Sequence, residues 1–88
     1  MEINLRTGEL YHEGNKYYLT QYEMKALNRL KAPGIVTYEE IYEALYNMKV
    51  RKLEISDRCR ISTIISRLKK KTGLMITSHV GYGYELMQ

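Results

Sequence analysis

Two Thr-x-x-Glu segments, residues 20–23 and 37–40, constrain the fold of this 88-residue chain more than any other feature. In such a capping box the threonine hydroxyl accepts from an early helical N–H, and the glutamate reaches back to the backbone N–H of the cap. An apolar stripe follows each box, and Pro33-Gly34 separates them. The pattern predicts two short helices, one ending by Ala32 and one running to about Met48.

Short strands are predicted at both ends of the chain. Residues 1–20 alternate polar and apolar side chains between turn-forming segments, which indicates a small antiparallel meander. Gly8 and the pair Gly14-Asn15 are expected to supply the positive φ angles that tight turns require. Near the other end, the segments LMITSHV and YELM flank Gly81-Tyr82-Gly83 and predict a hairpin.

The Gly-x-Gly at residues 81–83 permits two interpretations, a phosphate cradle or a turn. A phosphate-binding loop needs a glycine-rich turn that leads from a strand into a helix, whose N-terminus then faces the phosphate. Only residues 84–88 follow in this sequence, too few for a stable helix. We therefore expect these glycines to turn a hairpin.

A third helix is predicted over residues 57–72, with Ser56 or Asp57 as its cap. Three lysines, residues 69–71, precede Gly73 at its end, which suits the negative end of the helix dipole and a glycine C-cap. At 100° per residue, one face is apolar and the opposite face is polar. The apolar face consists of Ile61, Ile64, Ile65 and Leu68, and the polar face includes Cys59, Thr63, Ser66, Arg67 and Lys70.

The basic residues are concentrated around this helix. Residues 49–71 hold nine Lys or Arg against Glu54 and Asp57, a local charge of +7, so the rest of the chain carries −3 of the total +4. Such a split is typical of a domain with a polyanionic partner, either nucleic acid or an anionic membrane surface. The polar face almost lacks carboxylates, which favours nucleic acid over a face that is charged for solubility alone.

Several other classes of protein are disfavoured by the composition. The single cysteine, Cys59, and the isolated His12 and His79 show neither zinc-binding nor catalytic spacing, so we expect no enzyme, metal or cofactor. No apolar run is long enough to span a bilayer, and the start lacks a signal-peptide layout. The sequence predicts a cytoplasmic protein without a membrane anchor.

The order of these elements predicts an α+β fold, a winged helix-turn-helix. It comprises an N-terminal antiparallel sheet, a three-helix core and a C-terminal β-hairpin wing. We expect one domain over 1–88, with strands in 1–20, two helices and a loop in 20–56, the recognition helix in 57–72 and the wing in 74–88. In this fold the third helix enters the major groove of duplex DNA.

Four segments resemble the OmpR/PhoB-type DNA-binding domain, the effector half of many response regulators. YYLTQYEMKALNRL is similar to the Leu-Thr-x-x-Glu start of its first helix, and ISRLKKK to Ile-Ser-x-Leu-Arg-x-Lys. GYGYEL is similar to Gly-x-Gly-Tyr-x-Leu, and GIVTYEEIYEALY to the second helix, with Tyr46 where the family often has Trp. The resemblance spans nearly the whole chain and implies a sequence-specific transcription regulator that binds double-stranded DNA.

The resemblance also implies particular contacts. Base contact falls on Arg67, with Thr63 and Ser66 beside it. Phosphate contact falls on Arg60, Lys69 and Lys70, and charge alone adds Arg58. The loop at about residues 48–56 corresponds to the part that can contact RNA polymerase, and members of the family commonly bind tandem repeats as head-to-tail dimers.

The wing departs from the family pattern. Val80 stands where an arginine often reaches into the minor groove, and Glu85 stands where a basic residue is common. His79 and Tyr82 are the wing residues left to make that contact. One alternative remains, a winged-helix module that binds an acidic protein; an RNA-binding protein ranks below it, because no aromatic platform on a sheet is evident.

Overall fold

The first three strands form the predicted meander in the computed structural model, which describes residues 1–87. The sheet has the order β1-β2-β3 and is antiparallel, with Leu10 opposite both Ile3 and Tyr17 and fully buried. The tight turn after His12 uses Glu13 and Gly14, at φ 49° and 77°, so the prediction of Gly14-Asn15 was displaced by one residue. The strands are β1 (Glu2–Asn4), β2 (Glu9–His12) and β3 (Asn15–Tyr18).

Both predicted capping boxes begin helices, α1 (Gln21–Leu30) and α2 (Tyr38–Tyr46). Thr20 N–H donates to Glu23 Oε1 at 2.8 Å, and Thr37 N–H donates to Glu40 Oε1 at 2.9 Å. The second helix ends two residues before Met48, because Asn47 turns left-handed at φ 54°. An ion pair between Arg29 and Glu40 joins the two helices.

The third helix, α3 (Ile55–Thr72), begins two residues before the predicted boundary at 57. Its cap is Glu54, so the prediction of Ser56 or Asp57 as the cap was wrong. Asp57 instead occupies the third helical position, where its Oδ2 accepts from the Glu54 N–H at 3.1 Å. The carboxylate therefore stabilises the start of the helix from within the first turn.

A second sheet joins the wing to the helices. Its strands are β4 (Val36–Thr37), β5 (Ile76–His79) and β6 (Gly83–Leu86), in the antiparallel order β4-β6-β5. The wing hairpin therefore pairs with the two residues that precede α2, Val36 opposite Tyr84 and Thr37 opposite Gly83. Gln88, the last residue of the predicted wing, lies outside the described residues.

The two glycines of the Gly-x-Gly have different roles. Gly81 lies in the turn at φ 82°, and the turn is closed by a 2.9 Å hydrogen bond from Tyr82 N–H to His79 O. Gly83 lies in β6, where a Cβ atom would approach Val36 O to 1.9 Å. A strand and not a helix follows these glycines, so the hairpin prediction is correct and a phosphate cradle is excluded.

The core lies between the three helices and the two sheets. Each helix contributes its apolar stripe, and the sheets contribute residues such as Leu10 of β2 and Val36 of β4. Within residues 1–87, every buried side-chain nitrogen or oxygen has a hydrogen-bond partner. The largest side chains that are almost fully buried are Leu10, Leu27, Leu30, Val36, Ile41, Leu45, Ile61, Ile65 and Leu68.

Candidate nucleic-acid interface

The exposed side of α3 is the strongest candidate for a functional surface. Ile61, Ile64, Ile65 and Leu68 are buried, as their spacing predicts, and the side chains between them are exposed. From Arg58 to Lys71 the helix carries no acidic residue. We call the exposed side the basic face; it comprises Arg58, Cys59, Arg60, Ser62, Thr63, Ser66, Arg67, Lys69 and Lys70.

A central strip of the basic face lies directly opposite the core. At 100° per residue it contains Cys59, Thr63, Ser66 and Lys70. Thr63 Oγ1 donates to Cys59 O at 2.9 Å, so its hydroxyl proton is engaged and its oxygen is left to accept. The strip thus combines short polar side chains with one ammonium group, and two of the three predicted base-contacting residues lie on it.

Arg67, the third predicted base-contacting residue, borders this strip on the side that faces α1. It lines one shallow recess together with Thr63, Ser66 and Lys70, and a second recess together with Tyr22. The structure therefore brings all three predicted base-contacting residues together.

The opposite border of the strip faces the wing across a groove. Ser62, Ser66 and Lys69 line it from α3, and Ser78 lines it from β5. Ser62 and Ser78 were not predicted as site residues. Ser62 could have been found from its position one helical turn before Ser66, whereas Ser78 comes close only through the packing of the wing on the helix.

Two arginines near the start of α3 contact tyrosines of α2. Arg60 Nη1 donates to the Tyr46 hydroxyl at 3.4 Å, a long hydrogen bond. The Arg58 guanidinium lies 5.5 Å from the centre of the Tyr38 ring, within the range of a cation–π contact. Both predicted phosphate-contacting arginines are exposed, and the guanidinium of each contacts one tyrosine of α2.

The two predicted wing residues differ in their surroundings. Tyr82 lies at the tip, with 70% of its surface exposed beside Val80 at 91%. His79 lies below the tip, where its Nε2 is 3.1 Å from Glu85 Oε1 and both side chains are partly buried. The wing tip therefore presents a valine and a tyrosine, and the histidine is paired within the hairpin.

Lys71 belongs to the fold more than to the basic face. Its Nζ lies 2.7 Å from Glu23 Oε1 and donates to Tyr18 O at 3.3 Å, which ties the end of α3 to α1 and β3. Burial raises the pKa of the Glu23 carboxyl, but the hydrogen bonds from Lys71 and from the Thr20 N–H outweigh it and lower that pKa below 4.5. Glu23 is therefore ionised at neutral pH, and it neutralises Lys71.

Replacing Lys71 with methionine should destabilise the domain at pH 7 by about 1–3 kcal/mol, because the buried Glu23 carboxylate loses a charged partner. A lowered folded-state pKa stabilises the fold above about pH 4.5, and this contribution is lost as the pH falls. The deficit of Lys71→Met should therefore shrink by pH 3. Urea unfolding at both pH values measures it, with Lys70→Met as the matched control.

Equal stability of Lys71→Met and wild type at pH 7 would contradict this prediction. A deficit of the same size at pH 7 and pH 3 would also contradict it, because Glu23 binds a proton more readily once Lys71 is gone and then no longer needs the ammonium group.

The loop before α3 is shorter than the predicted segment 48–56, because residues 55 and 56 belong to the helix. Leu53 is buried, whereas Met48 and Ile55 are exposed, at 59% and 82% of their surface. The basic residues Lys49, Arg51 and Lys52 are also exposed.

Neither a metal site nor a membrane-spanning helix is found in residues 1–87. No three His, Cys, Asp or Glu side chains there are grouped so that they could hold a metal ion. None of the described helices has both the length and the apolar composition needed to cross a bilayer.

No family model matches the sequence, and no curated protein matches it. Several solved structures match, and two of them align with nearly the whole fold. The DNA-binding domain of Bacillus subtilis CssR aligns with a TM-score of 0.74 at 24% identity, over 98% of both chains. The DNA-binding domain of CpxR from E. coli aligns with a TM-score of 0.73 at 21% identity, over 96% of this chain and 86% of that one. The chain therefore has the winged-helix fold of these two domains, as the resemblance to OmpR/PhoB-type domains implies.

Proposed function

We propose that the chain binds double-stranded DNA with sequence preference, as the DNA-binding part of a transcription regulator. The observation that carries the proposal is the basic face of α3, which projects cations and hydroxyls and has no carboxylate between Arg58 and Lys71. An α-helix of about 10–12 Å diameter fits the major groove of about 12 Å width. The two structural neighbours, both DNA-binding domains, support this function.

The division of the basic face suggests how the helix would read DNA. Thr63 and Ser66 lie on the central strip and Arg67 at its border, where side chains can reach base edges. Arg58, Arg60 and Lys69 lie on the flanks of the basic face. Lys70 lies on the strip, and its long side chain would extend from there to the phosphate backbone of the DNA. These four would contact phosphates, which fix the position of the helix but carry no sequence information.

The wing contributes in a different way in this proposal. Its tip carries Val80 and Tyr82 and no charged side chain, so a contact with the minor groove would rest on shape and on the tyrosine hydroxyl. His79 is engaged by Glu85 and would hold the hairpin rather than the DNA. The wing should therefore add little to the salt dependence of binding.

Salt dependence is the first test of this function. Each neutralised phosphate adds about −0.9 to the slope of log K against log salt, so four contacts predict a slope of about −3 to −4. Fluorescence anisotropy with a labelled duplex, titrated at several salt concentrations, measures this slope. Selection from a random duplex pool then tests sequence preference. Absence of duplex binding at low salt would refute the proposal.

Alkylation of Cys59 tests where the DNA binds. This single thiol is exposed on the central strip, so bound duplex should slow its reaction with iodoacetamide at least tenfold. The matched control is a Cys59→Ser chain with Asn28→Cys, which places the thiol on the exposed side of α1. DNA should leave the control rate unchanged. Equal protection at both positions would contradict groove entry by α3.

Protein partners are a second part of the proposal. Met48 in the loop before α3 and Ile55 at the start of that helix are exposed beside basic residues. This surface suits a contact with a protein such as RNA polymerase while α3 binds DNA. Binding as a head-to-tail dimer would appear in the selected sequences as two copies of one motif at fixed spacing. If an acidic protein binds the basic face while duplex DNA does not, the domain is a protein-interaction module instead.

A further inference from the structure

Two tyrosines of α2 contact the two arginines at the start of the basic face. We infer that Tyr46 and Tyr38 are positioning residues that hold Arg60 and Arg58 on opposite flanks of α3, ready to contact phosphates on either side of the groove. This inference rests on the proposed DNA binding and adds to it two residues that do not themselves lie on α3.

The position of Tyr46 is fixed by two neighbouring tyrosines. Its ring lies 5.5 Å from that of Tyr22 on α1, edge to face, and 4.7 Å from that of Tyr42 on the same helix. Such pairs restrict the orientation of the ring. The hydroxyl of this fixed ring accepts from Arg60 Nη1, so the guanidinium gains a defined position relative to three packed side chains.

Tyr38 is fixed in a different way. It is the first residue of α2, and its backbone N–H donates to Tyr82 O of the wing at 2.9 Å. Its ring packs edge to face on Tyr84 at 5.6 Å, and Arg58 lies over that ring. The Arg58 guanidinium is therefore held by the same contacts that join the wing to α2.

The two arginines occupy opposite flanks of one helix. They are two residues apart, so their side chains leave the α3 axis about 160° apart and about 3 Å apart along it. A helix seated in the major groove has a phosphate backbone on each side. Arg58 and Arg60 are therefore placed to contact one backbone each, near the same depth in the groove.

Tyrosine is well suited to this role because it orients a cation without cancelling its charge. Lys71, in contrast, is paired with the Glu23 carboxylate, which neutralises it. A free arginine loses side-chain freedom when it binds a phosphate, and this loss weakens binding. Holding the guanidinium before DNA arrives reduces that loss while the full charge remains available.

The test is a double-mutant cycle between Tyr46 and Arg60. Tyr46→Phe keeps the packed ring and removes only the hydroxyl. It should weaken duplex binding about two- to tenfold, the range expected for one hydrogen bond, and should make the salt slope shallower by up to about 0.9. In the Arg60→Ala background, Tyr46→Phe should have no further effect. Tyr42→Phe removes a neighbouring hydroxyl that does not hold Arg60 and is the matched control.

On the other flank, Tyr38 contacts Arg58 through its aromatic ring and not through its hydroxyl. Tyr38→Phe keeps the ring under Arg58 and should bind like wild type, whereas Tyr38→Leu should weaken binding. The effect of Tyr38→Leu should be smaller once Arg58 is alanine. Urea unfolding of each variant separates a loss of contact from a loss of fold.

Some outcomes would overturn the inference. If wild type binds duplex but Tyr46→Phe has the wild-type affinity and salt slope, Tyr46 does not position Arg60. If Tyr46→Phe costs the same in both Arg60 backgrounds, its role is independent of the arginine. If wild type itself fails to bind duplex at low salt, the proposed function is wrong and the inference falls with it.

Discussion

Replacing Arg67 with alanine is expected to reduce affinity for the preferred duplex about 5- to 150-fold and to relax sequence preference. This range corresponds to about 1–3 kcal/mol, the usual cost of losing one bidentate contact to a base. Arg67 borders the central strip beside Thr63 and Ser66, so in the proposed complex its guanidinium would reach the same base pairs as their hydroxyls. The loss should therefore depend on sequence.

Lys70→Ala is the matched comparison for Arg67→Ala. A lysine that contacts phosphate contributes equally on every sequence, so this variant should weaken specific and random duplexes by the same factor. The salt slope should become shallower by about 1. Competition titrations with the selected duplex and a scrambled one, at two salt concentrations, separate the two kinds of loss. If Arg67→Ala weakens both duplexes equally, Arg67 contacts phosphate, and the prediction of a base contact is wrong.

Gly83→Ala is expected to destabilise the whole domain by about 3 kcal/mol or more, a large part of the stability of a small domain. A Cβ atom at this position would lie 1.9 Å from Val36 O and 2.8 Å from Thr37 Cα. Both are backbone atoms, so no side-chain rotation relieves the clash. The pairing of β4 with β6 must separate, and Tyr38 then loses its hydrogen bond to the wing.

Gly81→Ala provides the control for Gly83→Ala. A Cβ atom added at Gly81 would meet no other atom within 4 Å, so the destabilisation by Gly81→Ala comes only from the left-handed φ of 82°. Such strain costs about 1–2 kcal/mol and stays within the turn. Urea unfolding followed by circular dichroism measures both variants. The clash argument fails if Gly83→Ala proves no more destabilising than Gly81→Ala.

Helix boundaries were predicted well where side chains a few residues apart control them. The boxes Thr20–Glu23 and Thr37–Glu40 act through contacts within one helical turn, so they are visible in the sequence. The start of α3 was missed because Glu54 is an uncommon cap, and Asp57 acts from inside the helix. A sequence pattern ranks residue types at a cap but does not show which residue reaches back to which N–H.

The candidate site was predictable to the extent that helical periodicity determines it. The spacing of Ile61, Ile65 and Leu68 fixes which residues of α3 are exposed, and so the basic face followed from the sequence. The contacts between different helices and strands could not be predicted in this way. Tyr46 and Arg60 are 14 positions apart in the sequence and meet only because α2 packs on α3.

The pairing of His79 with Glu85 illustrates the same limit within a hairpin. The register places His79 opposite Gly83, so Glu85 is the diagonal neighbour on the same face. Without knowledge of that register, the sequence does not show whether His79 and Glu85 pair with each other or face DNA separately. The sequence indicated the wing, but the partner of His79 depends on which residues of the two strands lie opposite each other.

The short strand β4 has a further consequence. Because β6 lies between β4 and β5, the wing shares backbone hydrogen bonds with the residues that begin α2. A wing held only by its own turn would open and close independently of the helices, whereas we expect this one to unfold together with them. We therefore expect the hairpin to be formed before any partner binds, so that association needs no folding step in the wing.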